Sequence, residues 1–188
     1  GEFSKSNSIA STPPVVRPRH NLPAELTSFV GRRAEMAQAL ARLQDPTCRL
    51  VTITGLGGVG KTRLALQIAR ALAAEGLAMT PVNNAASQGF MPEGVYFVPL
   101  AGLEASPELE NVLAASIADS LQIPLAGDIA PATQLIHALV DKNLLLVLDN
   151  FEHLIVATPF LVALLEKTRS LKLLVTSRVR LNLRSEQL

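Results

Sequence analysis

Four short apolar runs punctuate the chain, at Leu50–Thr54, 95–100, 144–149 and 171–176, and turn-forming or polar residues bound each of them. Runs of this length that are apolar on both faces predict strands buried inside a parallel sheet. Between them the apolar positions recur at helical spacing. Ala34, Ala37, Ala39, Leu40 and Leu43 predict a short helix ending near Asp45-Pro46, and Leu64, Ala65, Ile68, Ala69 and Leu72 predict a longer one. A third helix is expected to run to Leu121, with Ser106 as its cap and Pro107 at its first position. Two more are predicted over 133–140 and 154–167. Strands alternating with helices make this an α/β chain.

The segment joining the first strand to the second helix reads Gly55-Leu56-Gly57-Gly58-Val59-Gly60-Lys61-Thr62 and fits G-x-x-x-x-G-K-[ST] without a mismatch. A loop wrapping a polyphosphate turns its N–H groups inward, which requires positive φ angles and close approach of main chain to ligand. Gly57, Gly58 and Gly60 are suited to that. Lys61 offers a point charge to the β- and γ-phosphates, and the Thr62 hydroxyl is placed to ligate Mg²⁺. A helix opening at Thr62 would turn its free N–H groups and positive dipole end towards the anion.

A second informative stretch is the run at 144–149, which ends in the carboxylate of Asp149. In open parallel sheets ligands lie beyond the C-terminal strand ends, so Asp149 is expected beside Thr62, where it can hold Mg²⁺. The next residue, Asn150, can orient a water and cannot take its proton. Glu152 is a substitute base or a carboxylate favoured at a helix start. Arg178, just past the strand 171–176, reads either as a γ-phosphate sensor or as a surface arginine, the sensor being favoured. Upstream, Phe29-Val30-Gly31-Arg32 is open to two readings, a wall against an adenine ring or an ordinary helix start.

Composition narrows the classes. With 188 residues, 48% hydrophobic, one α/β core is the default. The net charge of +1 gives no broad field for nucleic acid or membrane. Direct DNA binding through Arg178, Arg180 and Arg184 is accordingly disfavoured. A single cysteine, Cys48, excludes an internal disulfide and reads as a small core residue, and no run is long enough to span a bilayer. A reducing, cytoplasmic setting fits these features. His137 has no ligand partner at metal spacing and reads as structural or exposed. Residues 1–20, rich in Ser and Pro and opening on the scar-like Gly1-Glu2-Phe3, are expected to be a disordered linker, which leaves 21–188 as the domain. Residues 78–93 carry the breakers of a long loop.

With these residues in place, the chain resembles the STAND class of P-loop NTPases, and within it the bacterial regulator ATPases related to NB-ARC domains. Four segments carry the likeness in the family's order: Phe29-Val30-Gly31-Arg32 as the adenine-side box, residues 55–62 as Walker A, 144–149 as Walker B, and Val175-Thr176-Ser177-Arg178 as the sensor segment. The phrases Gly57-Gly58-Val59-Gly60-Lys61-Thr62-Arg63-Leu64-Ala65 and Leu148-Asp149-Asn150-Phe151-Glu152-His153-Leu154 are the strongest. Arg33 departs from it, standing where the family often has an acidic residue.

The resemblance implies a three-layer P-loop sandwich with a mostly parallel sheet in the order 2-3-1-4-5, cut before its final strand and helical lid. The absent fifth strand would leave an open edge beside Thr176, for self-association or docking of the 1–20 tail. It implies ATP and ADP as ligands with Mg²⁺, the nucleotide contacts running from Gly55 to Arg63, and a lid, winged-helix and sensor domains elsewhere in an intact regulator. The function implied is a nucleotide-gated switch with slow hydrolysis, and the alternative is a module that binds nucleotide without turning it over. A phosphotransferase would need an acceptor pocket and a mobile arginine-bearing lid, for which no motif appears.

Overall fold

All four apolar runs are strands, and their side chains alternate between two cores. In the computed structural model, residues 20–25, 31–78, 91, 93–183 and 186–187 are described. The elements are α1 (Arg33–Gln44), β1 (Leu50–Thr54), α2 (Lys61–Ala78), β2 (Val95–Pro99), α3 (Leu109–Ser120), α4 (Pro131–Leu139), β3 (Leu145–Asp149), a 3₁₀ segment (Phe151–Ala157), α5 (Thr158–Lys167), β4 (Lys172–Ser177) and β5 (Glu186–Gln187). Leu145, Val147, Val51, Ile53 and Leu174 pack with Leu64, Ile68 and Leu72 of α2 and Leu43 of α1. Their neighbours Leu146, Leu148, Leu50, Leu173 and Val175 pack on the opposite face with α3, α4, the 3₁₀ segment and α5. The result is helix, sheet, helix in three layers.

Every strand pair is parallel, in the order β2-β3-β4-β1-β5. This corrects the expected 2-3-1-4-5, because β4 stands between β3 and β1. A short crossover through α5 returns the chain directly beside β3, and β4, buried at all six residues, pairs with β3 on one side and β1 on the other. A fifth strand is also present, contrary to expectation. Glu186 and Gln187 pair with Leu50 and Val51 of β1. No open edge lies beside Thr176, because β4 is paired with β3 and β1, so the edge that the expected docking required is absent. A related contact exists at the opposite edge, where His20 bridges Val95 and the Asn21 amide both donates to the Phe97 carbonyl at 2.8 Å and accepts from its N–H at 2.6 Å. An asparagine side chain thus satisfies part of the β2 edge.

The helix at 33–44 ends where Asp45-Pro46 predicts. Two other boundaries differ. α3 begins at Leu109, with Ser106 supplying its carbonyl to a turn and no side-chain cap. The helix expected over 154–167 is a 3₁₀ segment that gives way to α5 at Thr158, since Pro159 lacks the N–H needed to continue the ladder and fits only a first turn.

At the end of the sheet away from the glycine loop, two cations cap helix C-termini. Lys172 is buried, and its ammonium donates to the carbonyls of Leu43, Asp45 and Cys48. Arg49 donates to the Leu165 and Leu171 carbonyls and to the Thr168 hydroxyl. Burial pushes both cations below their ordinary values. This accounts for the charge inside the apolar run at 171–176. Among the described residues, no helix is long and apolar enough to cross a membrane.

Candidate functional site

β1 ends at Thr54 and α2 begins at Lys61, so the glycine loop occupies the turn above the C-terminal end of the sheet. Gly58 and Gly60 have φ of +80° and +79°, a region that other residues rarely enter. A Cβ on either would meet nothing within 4 Å, so conformation, not crowding, calls for glycine there. Gly57 is a partial correction. It is absent from the positive-φ positions, and a Cβ there would lie 3.5 Å from the Arg178 guanidinium carbon. Leu56 and Val59, the apolar residues of the loop, are 79% and 46% exposed.

Lys61 opens α2, and its ammonium donates back to the Gly55 carbonyl at 2.7 Å and the Leu56 carbonyl at 2.9 Å. An ammonium has three donors, so this fold-back holds Lys61 over the loop with one to spare. The Thr62 hydroxyl donates to Asp149 Oδ1 at 2.8 Å. The sequence placed these two side by side, and the structure brings them into contact. Arg63, in the first turn of α2, is exposed.

Asp149 accepts a second hydrogen bond that sequence reasoning did not assign, from the Thr176 hydroxyl at 2.6 Å. The same hydroxyl accepts the Asn150 N–H at 2.9 Å. Thr176 is 1% exposed and clamps the end of β3 from the end of β4. Its signal was a threonine at the last apolar position of a strand, which on its own reads as ordinary β-branched filling. Asn150 has φ 67° and ψ 50°, so it makes the left-handed turn out of β3, a conformation that asparagine tolerates better than most residues. The backbone gives a reason for Asn150 that is separate from any contact with water.

Glu152 lies in the 3₁₀ segment, as its reading as a helix-start carboxylate anticipated, and it is paired. Arg178 Nε donates to Glu152 Oε1 at 2.9 Å, the side chains being 62% and 16% exposed respectively. Arg178 therefore lies between Glu152 and Gly57. On the α1 side, Gly31 and Arg32 take φ of 90° and 55° and form the turn that starts the helix. Arg32 Nη1 donates to the Val59 carbonyl at 2.9 Å and the guanidinium pairs with Glu35, which ties this turn to the glycine loop. Val30 lies outside the described residues. A cleft of about 180 Å³ runs along α1 and β1, lined by Arg32, Glu35, Arg42, Thr54 and Leu64 among others. It adjoins the loop through Arg32, Thr54 and Leu64, whose N–H donates to the Gly60 carbonyl at 3.0 Å.

The donor set of Thr62 and Asp149 is all oxygen, the hard ligand type that Mg²⁺ takes, and the residues present fit that ion. A parallel sheet flanked by helices on both faces, with a glycine loop leading from its β1 into a helix and a carboxylate facing that loop, is the architecture of the P-loop nucleoside triphosphatases. The chain belongs to the AAA ATPase domain family, whose match spans residues 28–176. It is 32% identical over 175 residues to the uncharacterised protein Rv0894 of Mycobacterium tuberculosis, covering 93% of this chain and 39% of that one. It is 36% identical over 131 residues to Rv0890c of the same organism, a candidate HTH-type transcriptional regulator, covering 69% and 12%. It is 32% identical over 170 residues to the regulatory protein AfsR of Streptomyces griseus, covering 85% and 15%. The chain thus spans about two-fifths or less of the length of these relatives.

Proposed function

We propose that this domain is the ATP- and ADP-binding switch of a STAND-type regulator, related to NB-ARC domains, in which nucleotide state governs the activity of a larger transcriptional regulator. The observation that carries the reading is the contact of Thr62 with Asp149 at 2.8 Å, directly after the glycine loop. It supports a site in which loop amides and Lys61 hold the phosphates while Thr62 and Asp149 hold Mg²⁺. Bound there, the ion would neutralise phosphate charge. Arg32, bonded to Val59, supports an adenine-side role for Gly31 and Arg32, since a base held by that turn stays in register with the loop. The regulator relatives support placing the domain within a longer signalling protein.

Hydrolysis in this site is slow on our reading. Asn150 has no carboxylate to accept a proton, and Arg178 occupies one oxygen of Glu152. These same observations favour the second reading, a module that binds nucleotide without turnover. Isothermal calorimetry with ATP and ADP tests the site: Lys61→Ala is expected to abolish binding of both in a correctly folded protein, and equal affinity in that variant overturns the assignment. Phosphate release separates the two readings. Slow turnover lost in Asp149→Ala marks the switch ATPase, and none in either protein marks the binding module.

A further inference from the structure

We infer that Glu152 is a specificity-determining residue, which competes with the terminal phosphate of a nucleoside triphosphate for Arg178 and so holds down triphosphate affinity relative to diphosphate. The inference rests on the nucleotide-site reading above. Arg178 is the residue that can move. It is 62% exposed, its ion pair among the described residues is with Glu152, and its guanidinium lies 3.5 Å from where a Cβ on Gly57 would stand. The arginine is therefore within reach of the loop without leaving its strand end. Glu152 cannot follow it. Its side chain is 16% exposed, and Oε2 is buried with no hydrogen-bond partner among the described residues.

The pair is accordingly lopsided. Drawing Arg178 away leaves a largely buried carboxylate with neither oxygen satisfied, a cost that falls only on the state in which the arginine has turned to the ligand. A terminal phosphate can meet that cost, because it carries more charge than a carboxylate and accepts a guanidinium through two parallel bonds. A diphosphate ends one phosphoryl short, so Arg178 stays with Glu152 and the diphosphate complex is indifferent to the pair.

Three variants test this by calorimetry with ADP and with a non-hydrolysable ATP analogue, after thermal melts establish folding. Glu152→Gln keeps the shape and removes the charge. Since the difference between a charge-assisted and a neutral hydrogen bond is worth roughly a tenfold change in affinity, Glu152→Gln is expected to bind the ATP analogue roughly tenfold more tightly and ADP within about twofold of the unmodified protein. Arg178→Ala should weaken the analogue and spare ADP, and the double variant should match Arg178→Ala. Equal shifts for both nucleotides, no shift for the analogue, or a gain that survives in the double variant would each overturn the inference while leaving the site assignment standing. If the unmodified protein bound neither nucleotide, the site assignment itself would fall, and this inference with it.

Discussion

Replacing Thr176 by valine removes one hydroxyl and little else, because valine keeps the β-branched shape that suits a strand. That hydroxyl has two tasks. It donates to Asp149 Oδ1 at 2.6 Å and accepts the Asn150 N–H at 2.9 Å, at a position 1% exposed. A hydrogen bond to a charged group contributes about 1.5–3 kcal/mol, and a backbone N–H left without a partner costs about 1–3 kcal/mol. The methyl that replaces the oxygen returns at most about 0.8 kcal/mol. The net expectation for Thr176→Val is a destabilisation of about 2–5 kcal/mol, a large share of the roughly 5–15 kcal/mol that holds a domain together.

Urea unfolding measures this directly. With a slope of about 2 kcal/mol per molar, the midpoint should fall by about 1–2.5 M. Thr176→Ser, which keeps the hydroxyl, should lie close to the unmodified protein. Among the described residues Asp149 would then keep only the Thr62 hydroxyl, so Mg²⁺-dependent nucleotide affinity should also drop in the valine variant and not in the serine variant. A Thr176→Val midpoint within about 0.3 M of Thr176→Ser, well below the shift that the hydrogen-bond costs predict, would refute the clamp.

Two further outcomes follow from the packing around the sheet. Glu93 accepts from Lys142 Nζ at 2.7 Å and the Asn143 N–H at 2.6 Å. Burial alone would push its carboxyl up, but these partners outweigh it and hold Glu93 below its usual 4.5. Its contribution is therefore present above that value and lost as pH falls through the lowered folded-state value, and Glu93→Gln should flatten the acid limb of a stability-against-pH curve. Lys172→Met should cost about 3–5 kcal/mol in urea unfolding, since it strips the partner from three carbonyls beneath α1. Its nucleotide affinity should stay within about twofold, because one side chain acting at the far end of β4 touches none of the site.

Local structure was legible from residues 50–65 and 144–149 because each step there is dictated over a few positions: an apolar strand, a turn that needs glycine, and a carboxylate at a strand end. What the sequence pattern could not convey depends on partners distant in the chain. Lys172 looks like an interruption in an apolar run until Leu43, Asp45 and Cys48 are seen beneath it. Thr176 reads as filling, and becomes a clamp only when β4 lies next to β3. Glu152 and Arg178 are each ambiguous alone, and their pairing across 26 positions of sequence gives each a partner. The boundary at Thr158 was available from Pro159, and helical periodicity across 154–167 concealed it.

Strand order explains why the site takes this form. In the order 2-3-1-4-5, β4 would stand on the far side of β1 from β3, about 9–10 Å between strand axes, and Thr176 could not reach Asp149. In the observed order β4 is registered against both neighbours, Val175 beside Leu148 and Ser177 beside Thr54. β1 is then two strands from β3, yet Thr62 touches Asp149. The glycine loop must therefore carry the chain across the end of β4 before α2 begins, and that crossing is what lays Gly57 against Arg178. The same interior placement that buries all six residues of β4 puts Thr176 under the carboxylate and Arg178 beside the loop. The residue that the proposal sets against the terminal phosphate, Arg178, is thus drawn from the end of the strand between the loop and the carboxylate, which neither motif contains.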